Sequence, residues 1–180
     1  MSDPFETLGF EPHFDLDRSL LEARHRELSR SLHPDRYVGR PASERRMALS
    51  RAIDVNHALR KLQDPVQRAE VLLARRGVVA EEGREAQPDP DFLMEILELR
   101  EALSSARAAA NLERVRTLAE GVTSRQERAL QALSRAFAAL ANDAAPQPEQ
   151  RTPEISALLS EVRYYQRFLE EARAIEDELE

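Results

Sequence analysis

The strongest constraint on this sequence is where its prolines stand. They occupy positions 4, 12, 34, 41, 65, 88, 90, 146, 148 and 153. A proline ring breaks a helix from within but suits its first turn and the connections between helices. The proline-free intervals 13–33, 42–64, 66–87, 91–145 and 154–180 are therefore the helix candidates. Leu, Ala, Glu and Arg dominate the sequence, and all are strong helix formers. Only five glycines interrupt the 180 residues. The spacing predicts an all-α chain with no repeat period. Residues 78–89, with Gly83, Pro88 and several acids, read as a linker, and 142–152 as a helix–helix loop. That divides the chain into a first domain at 1–77 and a second at 90–180.

Apolar spacing fills in the elements. After the N-cap region Asp15-Leu16-Asp17, the residues Leu21, His25, Leu28 and Leu32 recur at helical intervals. Pro34 ends this helix, because it disfavours helical geometry at His33. A second stripe, Ala48, Ala52, Val55, Leu59 and Leu62, runs up to Asp64-Pro65. Two facing stripes joined by a rigid loop predict an antiparallel helical hairpin. Ala69, Leu72 and Leu73 add a short third helix, closed by Gly77. The second domain reads as three helices near 90–109, 112–141 and 153–179. Their stripes include Val115, Leu118, Val122, Ala129, Leu133, Ala136 and Leu140, then Ile155, Leu158, Val162, Tyr165, Leu169 and Ala172. Three such stripes close one antiparallel three-helix bundle.

Charge separates the two domains. Residues 1–80 carry 14 basic and 12 acidic side chains, net +2, whereas residues 81–180 carry 12 and 21, net −9. Opposite signs in one chain suggest two modules with different partners. The overall −7 argues against nucleic-acid binding. Charges break up the first thirty residues, which excludes a secretory signal. No apolar run approaches the roughly 20 residues of a membrane helix. Zero cysteines exclude a disulfide frame, a thiol nucleophile and a Cys-ligated metal or cluster. His25 sits on the apolar stripe as a core residue, and His13 and His57 lack ligand-like spacing with His33, so no metal or other cofactor is expected. A helical enzyme or metal protein using the four histidines is the rival class. No Ser, Cys or second carboxylate is placed to make His33 a general base, so no catalytic residue is assigned. The reading is a non-enzymatic protein of a reducing compartment.

Two features point to docking. His33-Pro34-Asp35 sits at the hairpin tip, with Arg24, Arg26, Arg30, Arg36 and Arg40 able to surround it with positive potential suited to an acidic partner. The helix near 90–109 carries more apolar surface than one core stripe needs. Phe92, Ile96, Leu99, Leu103 and Ala106 fall within about 80° of one another on a helical wheel. Leu93, Met94 and Leu97 lie outside that arc with Glu98 and Glu101. They form either a partner surface or a widened core. Tyr164 and Phe168 stand off the stripe of the last helix, as interface anchors or as packing against the linker or the first domain.

The ordered set Leu8-Gly9, basic helix, His33-Pro34-Asp35 and second helix resembles the J-domain of DnaK-class co-chaperones. With Arg68-Ala69-Glu70-Val71-Leu72-Leu73 and Phe92-Leu93-Met94-Glu95-Ile96-Leu97-Glu98-Leu99-Arg100-Glu101, nearly the whole chain resembles the HscB family of iron–sulfur cluster assembly co-chaperones. The resemblance implies a J-domain packed in an L-shape on a three-helix bundle. It implies that His33, Pro34, Asp35 and the basic helix engage a DnaK-class chaperone, HscA-like, and stimulate its ATPase. It implies that Leu93, Met94, Leu97, Glu98, Glu101 and Tyr164, with Phe168 adding to them, bind an IscU-like scaffold protein. Ser105 stands where the family has a further acid. The missing cysteine-rich module of eukaryotic members implies the bacterial form and a cytoplasmic location. The alternative is a general J-domain co-chaperone whose bundle serves another client or self-association.

Overall fold

The computed structural model describes residues 3–78, 88–141 and 148–180, and these are helical, with no strand among them. The chain divides into two compact units, Met1–Val79 and Ala80–Glu180. Most of the expected linker, 79–87, lies outside the described residues.

The first unit contains α1 (Pro4–Leu8), α2 (Arg18–Ser31), a single 3₁₀ turn (Pro34–Tyr37), α3 (Ala42–Gln63) and α4 (Pro65–Ala74). An Asp-Pro pair starts both α1 and α4. Asp3 and Asp64 accept from the first free backbone N–H groups, while Pro4 and Pro65 sit where no N–H is needed. The second unit repeats the device at Asp89-Pro90. The prolines therefore open helices as well as separate them. Gly9 closes α1 with φ of 72°, a left-handed conformation that costs glycine no Cβ clash. Gly77 follows α4 with φ of 79°, and Val78 N donates back to Leu73 O at 3.1 Å.

The core of this unit lies around α3, against which α1, α2, α4 and the 3₁₀ turn all pack. Its buried residues are Phe5, Leu8, Phe14, Leu21, Ala48, Val55, Ala58, Leu62, Val66, Ala69, Leu72 and Leu73. The α2 stripe is less enclosed than its periodicity implied, since Leu21 alone is buried and His25, Leu28 and Leu32 are half-buried. Phe5 and Leu8 on the five-residue α1, and Phe14 in the loop after it, complete the core from a segment too short to show a helical repeat. Arg68 fixes that segment: its guanidinium lies 5.0 Å from the Phe14 ring centroid, and Nη1 donates to Leu62 O at 2.6 Å. Burial pulls the Arg68 pKa below its usual range, opposed by Asp15 and Asp64.

The second unit contains α5 (Pro90–Ala108), α6 (Leu112–Ala141) and α7 (Pro148–Leu179). Of the loop expected at 142–152, residues 142–147 lie outside the described residues, and 148–152 belong to α7. The helix starts at Pro148, a first-turn position, and carries Pro153 inside it at the cost of one ladder hydrogen bond. Helices α6 and α7 make the main interface, and α5 packs on both. Arg100–Glu171 at 3.9 Å and Arg107–Glu178 at 2.6 Å repeat one heptad apart, so α5 and α7 run parallel and in register. Arg125–Glu95 at 2.7 Å ties α6 to α5.

Ser160 is the exception in this core. It is 1% exposed, and its Oγ has no hydrogen-bond partner among the described residues. A buried hydroxyl that exchanges water for nothing costs about 1–3 kcal/mol. Ser160→Ala should therefore raise stability by about 1 kcal/mol, read as a higher denaturation midpoint with an unchanged slope. An unchanged or lower midpoint would mean that the hydroxyl is satisfied.

Candidate functional site

The hairpin tip is built by backbone logic. Pro34 opens the 3₁₀ turn, and His33 caps it, with Nδ1 accepting from Asp35 N at 3.4 Å. Asp35 Oδ2 lies 3.4 Å from the same Nδ1. Both side chains are exposed, His33 by 59% and Asp35 by 86%, so the tripeptide displays polar groups instead of burying them.

Beside this tip an open hollow of about 530 Å³ is lined by Ala23, Arg26, Glu27, Arg30, Ser31 and Arg36. Three guanidiniums thus share one concave, exposed surface, which concentrates positive potential. Arg40 is exposed in the loop after the turn but does not line the hollow. Arg24 does not line the hollow itself, although its partner Glu27 does. Arg24 lies about 160° from Arg26 around α2. Its Nε donates to Leu8 O at 3.1 Å, and Nη1 pairs with Glu27 at 2.7 Å. Arg24 thus fastens α1 to α2 through Leu8 O while its side chain stays 41% exposed beside Glu27. The four histidines do not converge, and among the described residues no group of His, Asp or Glu could hold a metal ion. His25 is a packing residue, with Nε2 donating to Asn56 Oδ1 of α3 at 2.8 Å.

In the second unit, α5 settles the two-face question. Ile96, Leu103 and Ala106 are buried, and Phe92 and Leu99 are half-buried. On the other side Met94 is 58% and Leu97 60% exposed, with exposed Glu98 and Glu101 around them and Leu93 half-buried at the margin. The surplus apolar residues do not widen the core. Met94 and Leu97 stand in water next to carboxylates, an exposed apolar patch of the kind that marks interaction sites. Ser105 is exposed on the same helix.

Helix α7 separates the two aromatic candidates. Phe168 is fully buried at 0% exposure, and its assignment to the docking surface is corrected to the core. The buried series is Ile155, Leu159, Val162, Tyr165, Phe168, Ala172 and Ile175, rotated slightly from the expected stripe so that Leu158 and Leu169 fall at its half-buried edges. Tyr164 remains half-buried at the surface. Phe92 meets it edge-on at 5.7 Å and meets Tyr165 at 5.6 Å, while the Arg167 guanidinium lies 5.8 Å from the Tyr164 ring. Phe92, a residue the sequence reading placed in the core stripe, therefore holds Tyr164 beside the start of the α5 strip. The surroundings are acidic. Burial first, then Glu95 and Asp89, push the Glu161 carboxyl above the usual carboxylate range.

No described helix is long and apolar enough to cross a membrane. Comparison with known proteins adds the following. A family model described as the HSCB C-terminal oligomerisation domain matches residues 88–173. The co-chaperone protein HscB homolog of Neisseria gonorrhoeae is 35% identical over 147 residues, covering 82% of this chain and 89% of the relative. Among solved structures, chaperone HscB from Vibrio cholerae superposes with a TM-score of 0.81 at 29% identity, covering 99% of this chain and all of that one. Human co-chaperone protein HscB gives a TM-score of 0.81 at 25% identity, covering 97% and 82%.

Proposed function

From the premise that this chain belongs to the HscB family of co-chaperones, we propose that it is a two-sided adaptor of iron–sulfur cluster assembly. One unit, the J-domain, presents His33-Pro34-Asp35 and the hollow of Arg26, Arg30 and Arg36 to an HscA-like DnaK-class chaperone and stimulates its ATPase. The other holds an IscU-like scaffold protein on Leu93, Met94, Leu97 and Tyr164, with Glu98 and Glu101 matching basic groups of that partner. The observation that carries this reading is the exposed apolar strip of α5, where Met94 and Leu97 stay more than half exposed. The chain itself has no catalytic role in this scheme and works in the cytoplasm. Chaperone and scaffold held on one chain meet intramolecularly, and effective concentrations in the millimolar range replace a rare bimolecular encounter.

The test is the chaperone's steady-state ATPase rate with this protein, with the scaffold, and with both. More-than-additive stimulation is expected. Stimulation that is the same with and without scaffold would sink the adaptor reading and leave a general J-domain co-chaperone. A second reading has one observation in its favour, the description of the matched family model as an oligomerisation domain. On that reading the α5 strip meets a second copy of the chain. Sedimentation would then show a concentration-dependent dimer that Leu97→Asp dissociates.

A further inference from the structure

The sulfur chemistry of this chain rests on thioethers alone, because the sequence has three methionines and no cysteine. Two of these, Met47 in α3 and Met94 in α5, are described, and both are more than half exposed, at 53% and 58%. Methionine is ordinarily a buried gap-filler, and its oxidation ordinarily disrupts a core. Neither residue fills one here. Helix α3 buries Ala48, Val55, Ala58 and Leu62, and α5 buries Ile96, Leu103 and Ala106. An oxygen added to either sulfur changes a surface and leaves the packing beneath it intact.

The two sites differ in what surrounds them. Met94 stands one helical turn before Leu97 and next to Leu93, inside the strip assigned to the scaffold, with the acceptor-only carboxylates of Glu98 and Glu101 further along the helix. Met47 belongs to α3, in the other unit.

We propose that Met94 is an oxidation site through which hydrogen peroxide turns off the scaffold-docking strip, an inference that rests on the scaffold-binding reading above. The thioether sulfur attacks one peroxide oxygen, the S–O bond forms as the O–O bond breaks, and the second oxygen leaves as water after proton transfer. Sulfur loses two electrons and peroxide gains them. The product is a sulfoxide, a strong acceptor set among apolar contacts. Docking must then strip its water without supplying a donor, and that weakens binding. Methionine sulfoxide reductases reverse the change.

The experiment treats the full chain with hydrogen peroxide, locates added oxygen by peptide mass spectrometry, and measures affinity for the purified scaffold protein by calorimetry beside a thermal melt. Oxidation at Met94 should lower affinity about tenfold with an unchanged melt, and reductase treatment should restore it. A Met94→Leu variant should keep its affinity through peroxide treatment, whereas Met47→Leu should stay sensitive. Unchanged affinity in chains fully oxidised at Met94, or an equal loss in the Met94→Leu variant, overturns the proposal and leaves the scaffold reading standing. Failure of the untreated chain to bind the scaffold overturns both.

Discussion

A His33→Gln variant should bind the scaffold as tightly as the parent chain and fail to raise the chaperone's ATPase rate above its basal value. His33 is 59% exposed and contributes only a long capping contact to its own fold, so the substitution should move stability by less than about 0.5 kcal/mol. What it removes is an imidazole held at the tip by Pro34, next to the hollow of Arg26, Arg30 and Arg36. Loss of a central anchor costs about 2 kcal/mol or more, on the order of thirtyfold in coupling. The measurement is single-turnover ATP hydrolysis by the chaperone over a titration of the variant. Stimulation at the parental level would remove the tripeptide from the mechanism. Arg24→Ala makes an instructive companion. It should lower stability through the lost bond to Leu8 O and leave stimulation close to parental, because Arg24 faces α1.

The second large effect separates surface from core in the bundle. Leu97→Ala should weaken scaffold binding by about 1–2 kcal/mol and leave the melting temperature in place, since the side chain is 60% exposed. Phe168→Ala should do the reverse in kind. It empties a fully buried site and should cost about 3–5 kcal/mol of stability. Calorimetric affinity and thermal denaturation of both variants form one crossed experiment. A destabilised Leu97→Ala with parental affinity would return Leu97 to the core. A stable Phe168→Ala with lost affinity would return Phe168 to the interface.

The contrast between these two residues shows how far local sequence carries. On α7, Leu158 and Leu159 are neighbours about 100° apart, as are Phe168 and Leu169, and either choice yields an acceptable apolar stripe. Periodicity gives the existence of a stripe and its width. The position of α5 and α6 decides which edge is covered, and they cover Leu159 and Phe168. The same holds for α5, where one helical wheel allows both a broad core and a docking strip until the neighbouring helices are placed. Arg24 is set apart from Arg26 and takes on the bond to Leu8 O because proximity in sequence is not proximity around a helix. Phe5, Leu8 and Phe14 had no helical repeat to reveal them, and Phe92 looked like one more core position until its contacts with Tyr164 and Tyr165 were in view.

By itself the sequence missed α1 and began α7 at Pro153 instead of Pro148, but it determined most of the helices, most of the places where they start and stop, and the chemistry at the hairpin tip. These depend on backbone restraints that act over a few residues: the proline ring, the Asp caps and the 3.6-residue period. Only the tertiary structure decided which apolar residues are paid for by burial and which are left in water. That distinction separates Phe168 from Leu97, and it depends on where other helices lie, which no local rule contains.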